Sequence, residues 1–200
     1  MAAPHRGAPR VFGTALRVLV LATLVTGLLY PLLLLGVGQL LLPAQAHGSL
    51  VRVDGEVVGS ALIGQSWTDA AGDPLRPWFQ PRPSAAGYDG GASSGSNLGP
   101  ENPDLVAAIA QRRAAIAAFE GVDPAQVPPD ALTASASGLD PQISPEYARL
   151  QAARVADARG LPRSQVLELV QEHVRGRDLG YLGEPTVNVL ELNAALAALG

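Results

Sequence analysis

The chain has 200 residues, 48% of them hydrophobic, a formal net charge of −4, no Cys and no Lys, so all fourteen basic residues are Arg. Without Cys there is no disulfide and no thiol chemistry; without Lys there is neither a Walker A lysine nor a lysine for a Schiff base. The balance is acidic and His5, His47 and His173 lie far apart, which argues against a basic nucleic-acid surface and against a zinc site.

Residues 1–17 are a short tail carrying Arg6, Arg10 and Arg17 and no acid. Residues 18–42, from Val18 to Leu42, are twenty-five positions without a charge, twelve of them Leu. At a rise of about 1.5 Å per residue the run reaches roughly 37 Å, against a hydrocarbon core of about 30 Å. A single transmembrane helix is predicted. Ala44-Gln45-Ala46 fits a signal-peptidase pattern, but signal h-regions stop at about 15 residues and this run is far longer. A helix apolar all round also suits the core of a large soluble protein, though rarely at this length.

Within the run, Pro31 is expected to kink the helix. Thr23, Gly27, Leu34 and Gly38 share one face, where small residues let a second helix approach closely; the same residues are equally ordinary facing lipid. Positive flanks stay on the cytoplasmic side, so the N-terminus is expected inside and residues 43–200 outside. That outer part carries eleven Arg against eighteen acids, a net −7.

Pro43 ends the helix. Ser49 to Val58 reads as a hairpin turning at Asp54-Gly55, and Gly59 to Gln65 continues as strand, then loop. Residues 68–103 are rich in Pro and Gly and read as a long loop, functional or disordered, in which Trp78 and Phe79 argue for some packing. Asn102-Pro103-Asp104 starts a helix with Leu105, Ile109, Ile116 and Phe119 on one face up to Gly121. After Pro124, Pro128 and Pro129, a polar run leads to a second start at Ser144-Pro145-Glu146, with a helix to Arg159 closed by Gly160. Pro162 opens a third helix ending near Gly176. Asn188 and Glu191 form a capping-box pattern before a last helix bearing Leu192, Leu196 and Leu199. The expected fold class is α+β: one N-terminal transmembrane helix, then one mixed extracytoplasmic domain.

Three sets of residues bear on chemistry. Gly91-Ala92-Ser93-Ser94-Gly95 matches a G-x-S-x-G pattern, with Asp140 or Asp157 and then His173 in hydrolase order. Its flanks lack the strand and helix that a nucleophile elbow needs. Ser93 to Asn97 offers consecutive N–H groups and hydroxyls, either an anion-binding nest or a plain Gly/Ser loop. Gln151, Arg154 and Arg159 share the second capped helix and read as its solvated face rather than as a site for an acidic ligand.

Taken in order, Gly59 to Gln65, Arg82-Pro83-Ser84-Ala85, Ser94-Gly95-Ser96-Asn97-Leu98-Gly99-Pro100, Val127-Pro128 through Thr133 to Pro141, Arg154-Val155-Ala156, and Gly183-Glu184-Pro185 with Val187-Asn188-Val189 and Leu192-Asn193 form a set. This set resembles the C subunit of the bacterial Kdp potassium-transporting ATPase, over nearly the whole chain. Trp67 and Trp78 stand where that family has Phe or Tyr, Gln142 where His is frequent, and Glu101 where a small polar residue follows the loop glycine.

The resemblance implies an accessory subunit of the cell membrane, not a catalyst. It would work beside a channel-like A subunit that selects K⁺, a P-type B subunit that hydrolyses ATP, and a small F subunit. It would assist assembly and act as a catalytic chaperone that raises the ATP affinity of the B subunit. No tightly bound cofactor and no metal are implied, ATP being met through the complex. Gln151 matches a position connected with nucleotide, with Arg154 and Arg159 beside it. Ser94, Gly95, Ser96, Asn97, Gly99, Asn102, Ser137, Gly138 and Asp140 would form the family-motif loop. The charge flanks oppose the nucleotide role, since ATP is cytoplasmic and Gln151 is expected outside. A membrane-anchored exported enzyme of serine-hydrolase type, or a binding module, is the other class.

Overall fold

A computed structural model describes residues 8–199. The chain divides into two units at Ser49/Leu50. The first is built on one long helix: α1 (Ala8–Leu24), a π-turn (Val25–Leu29) and α2 (Tyr30–Leu41). It begins before the uncharged run, so Arg10 and Arg17 of the basic tail lie within the helix. The apolar span Arg10–Leu41 has 32 residues, and its most apolar stretch is unburied within the chain. That is the length and composition of a membrane-crossing helix.

Pro31 is accommodated by a change of helical register rather than by a break. Proline supplies no N–H and its ring crowds the carbonyl four residues back. Just before it, the Tyr30 N–H bonds to the Val25 carbonyl, five residues back. The widened turn is the response a π-bulge provides. The Thr26 hydroxyl adds a bond to the Ala22 carbonyl at 2.7 Å. Leu42 leaves helical geometry (φ −134°, ψ 54°), and Pro43–Ala46 adds one short helical turn, α3.

The second unit opens with the hairpin β1 (Leu50–Val53) and β2 (Glu56–Ser60). Asp54 (φ 51°) and Gly55 (φ 84°) supply the two positive φ values of a type I′ turn. The strand gives way to loop after Ser60, because the Ser60 hydroxyl accepts the Leu62 N–H at 3.1 Å and the Ser60 carbonyl accepts the Ile63 N–H, closing a turn. Gly59 is required by space: a Cβ there would lie 2.1 Å from the Gln65 amide nitrogen and 2.9 Å from Leu190.

The capped helices form where their start signals stand. Asn102 accepts the Asp104 N–H at 2.8 Å and opens α4 (Pro103–Glu120), which Gly121 ends in the left-handed region. After β3 (Gln142–Ile143), Ser144 accepts the Tyr147 N–H at 3.0 Å and opens α5 (Pro145–Arg159), ended by Gly160. The next helix, α6 (Arg163–Glu172), stops earlier than Gly176, since Val174–Arg175 becomes strand β4. With β5 (Thr186–Asn188) these make a three-stranded antiparallel sheet in the order β3-β5-β4. Asn188 caps α7 (Val189–Ala197) by accepting the Glu191 N–H at 3.2 Å. The Glu191 carboxylate turns to Arg175 at 2.6 Å, so only half of the capping box forms.

α5 packs along α6, and α5 and α7 both meet β5. Val155, Val166, Val170, Val187, Leu192 and Leu196 are fully buried there. Each such side chain contributes about 1.5–3 kcal/mol by leaving water.

Candidate functional site

Residues 61–102 form neither helix nor regular strand, yet Phe79 within them is 0% exposed. Buried backbone must find partners, and here the partners are side chains. The Phe79 N–H donates to the Asn193 amide oxygen at 2.9 Å, and the Asn193 amide nitrogen donates to the Phe79 carbonyl at 3.0 Å. The Gln80 N–H donates to the Gln151 amide oxygen at 2.6 Å, and the Gln151 amide nitrogen donates to the Gln80 carbonyl at 3.0 Å. Each carboxamide thus stands where the peptide group of a neighbouring strand would stand.

Arg154 extends the clamp. It donates to the carbonyls of Trp78 (3.0 Å) and Arg76, to the Gln151 amide oxygen (2.9 Å), and to Glu120 at 2.9 Å. Both side chains of the Arg154–Glu120 pair are 1% exposed. Burial holds the Glu120 carboxyl above its ordinary range, against the opposing pull of Arg154. Arg159 donates to the Pro77 carbonyl at 2.8 Å and lies 4.2 Å over the Trp78 ring. Gln151 and Arg154 are therefore buried and Arg159 half-buried, so this side of α5 is not the solvated face expected. It is turned inward, because what covers it is a polar backbone segment rather than apolar side chains.

The motif loop is a joint between two stretches of chain. The Ser84 hydroxyl donates to the Gly138 carbonyl at 2.6 Å, and the Ser94 N–H and Ser93 hydroxyl donate to the Ser137 carbonyl at 2.9 and 3.0 Å. Arg82 pairs with Asp140 at 3.2 Å, and the Ser137 hydroxyl donates to Asp140 at 3.3 Å. The glycines allow the close approach: a Cβ at Gly95 would lie 2.8 Å from the Ala136 carbonyl oxygen, and one at Gly138 (φ 68°) 2.6 Å from that of Ser94.

Ser94, Gly95, Ser137, Gly138 and Asp140 are thus brought together, while Ser96, Asn97 and Gly99 are exposed and Asn102 serves as the cap of α4. The Ser93 and Ser94 donors of the supposed nest point at a carbonyl, not at an anion. Nor does the G-x-S-x-G stretch sit between a strand and a helix. His173 holds its Nδ1 against the Leu169 carbonyl at 2.7 Å, at the end of α6.

Beside this joint lies a cleft of about 370 Å³, walled by α4 and by residues 80–88, with Arg82, Tyr88, Arg112, Phe119 and Tyr147 among its lining. Burial pushes the Tyr88 and Tyr147 phenols well above their ordinary range. The sequence reading did not single out Arg112, Tyr88, Glu120 or Gln80. A polar residue amid core positions was a visible signal for Asn193, next to Leu192 and one turn before Leu196. Nothing local distinguishes Gln80 or Arg112.

Residues 12–198 match the family described as K⁺-transporting ATPase, c chain. Relatives named potassium-transporting ATPase KdpC subunit include that of Kineococcus radiotolerans, 60% identical over 92% of this chain and 91% of the relative. That of Methylococcus capsulatus is 52% identical over 94% and 97%, and that of Mycobacterium tuberculosis 51% over 92% and 96%.

Proposed function

The chain belongs to the family of C chains of K⁺-transporting ATPases, and from that premise we propose that it is a non-hydrolysing accessory subunit. In this reading it stands beside a channel-like A subunit, a P-type B subunit and a small F subunit, and assists their assembly. It raises the ATP affinity of the B subunit as a catalytic chaperone, without holding nucleotide itself. The observation that carries the last point is the clamp. Gln151 is 0% and Arg154 3% exposed, and their amide and guanidinium groups are bonded to residues 76–80 and to Glu120. A nucleotide on these groups would have to open the core. An effect on ATP then travels through contacts between subunits, as a coupling free energy between distinct sites.

The charge flanks support the same view. Arg6, Arg10 and Arg17 precede the apolar run with no acid among them, which favours a cytoplasmic N-terminus and an external domain. The absence of Lys from the whole chain removes the usual phosphate-binding side chain of an NTPase.

Calorimetric titration of the full chain in mild detergent with ATP tests the proposal. No saturable heat is expected in the submillimolar range, whereas submillimolar binding that depends on Gln151 would overturn it. In parallel, the ATPase complex purified without this chain is expected to need more ATP for half-maximal hydrolysis.

A further inference from the structure

The accessory role proposed above makes no use of the cleft beside α4. Its volume, about 370 Å³, falls within the range of small-molecule sites, about 300–1,000 Å³. Pro81, Pro83, Ile116 and Phe119 supply apolar walls. The outer domain carries a net −7 by sequence, yet among the described residues no Asp or Glu lines this cleft, while Arg82 and Arg112 do.

The two guanidiniums are not equivalent. Arg82 is paired with Asp140 and also donates to the Thr133 carbonyl, but its Nε is buried without an acceptor. Arg112 donates to the Leu132 carbonyl at 2.9 Å and makes no ion pair among the described residues. The cleft is therefore mostly apolar and carries one positive charge, that of Arg112, with no ion-pair partner among the described residues.

We propose that this cleft binds a small monoanion: a carboxylate carried on an aromatic or branched apolar body. The body takes the Pro and Phe119 walls, and the carboxylate takes the charge of Arg112. A polyphosphate does not fit this balance, because Asp140 already offsets Arg82 and a single net cation remains. A neutral ligand leaves Arg112 uncompensated.

Fluorine NMR on the full chain in detergent micelles tests this with para-fluorophenylacetate as the probe and the neutral para-fluorophenethyl alcohol beside it. Saturable binding of the acid is expected, with the alcohol weaker by about tenfold or more. Partition into micelles does not saturate at the protein concentration and is common to all variants. Arg112→Gln is expected to weaken the acid about tenfold and to leave the alcohol unchanged. Ala115→Leu, made at an exposed position lining the cleft, keeps the charge and fills the space, and is expected to abolish binding without lowering the thermal midpoint. The proposal is overturned by an absence of saturable binding, by equal affinity for acid and alcohol, or by binding that survives both substitutions. The wild-type comparison decides even if a variant fails to fold, and failure here leaves the accessory role untouched.

Discussion

Gln151 makes hydrogen bonds through both ends of its amide to the two sides of a single residue, Gln80. Truncating it leaves a buried N–H and a buried C=O unsatisfied, at about 1–3 kcal/mol each. Gln151→Ala is thus expected to lower unfolding free energy by roughly 2–4 kcal/mol, read from the urea midpoint of the full chain. A residue kept only for a nucleotide would leave that midpoint unchanged. Glu120 makes a second prediction. Its folded carboxyl is raised above the ordinary 4.5 by burial, so the folded state keeps its proton to higher pH than the unfolded chain. Its contribution to stability is then largest below about pH 4.5 and declines as pH rises through the raised value. The stability difference between wild type and Glu120→Gln should therefore shift against the wild type as pH rises across that window. A difference that stays flat from acid to neutral pH would show an unshifted carboxyl.

At the scale of elements, the membrane helix has space that its own chain does not use. A Cβ at Gly36 would meet nothing within 4 Å, one at Gly27 only Thr23 of the same helix at 3.9 Å, and one at Gly38 only Ala46 at 3.8 Å. Leu at Gly27 or Gly38 is therefore compatible with this chain, and Leu is the better helix former by roughly 1 kcal/mol. A loss on substitution reports a neighbour. Gly27→Leu and Gly38→Leu are expected to reduce co-purification with the proposed partner subunits while the helix content of the isolated chain is unchanged. Unaltered yield for both would leave the helix as an anchor alone.

For the whole molecule, orientation and charge are the open physical quantities. A reporter active only outside the cytoplasm, fused after Gly200, should be active if the Arg-bearing flank stays inside; activity of a cytoplasmic reporter instead would reverse the topology. Asp89, Glu101 and Asp104 are exposed around the Gly/Ser loop and the start of α4. If the domain caps the assembly, neutralising all three leaves the apparent KM for K⁺ unchanged, which is the outcome expected. Steering of cations would instead raise KM at low ionic strength, where fields reach about 30 Å, and fade near physiological salt, where they reach about 8 Å.

What the sequence by itself determined is what acts over a few residues. The uncharged run dictates a membrane-length helix, Asp54-Gly55 dictates its turn, and Asn102, Ser144 and Asn188 cap the helices they precede. The strands β3, β4 and β5 were not legible, being two or three residues long and too short to show alternation. Nor was the clamp. A polar helix face looks the same whether it meets water or peptide groups, since both offer donors and acceptors. Only the tertiary fold, which brings Gln80 to Gln151 across 71 residues of chain, decided that Gln151 and Arg154 face inward with Arg159 half-buried beside them.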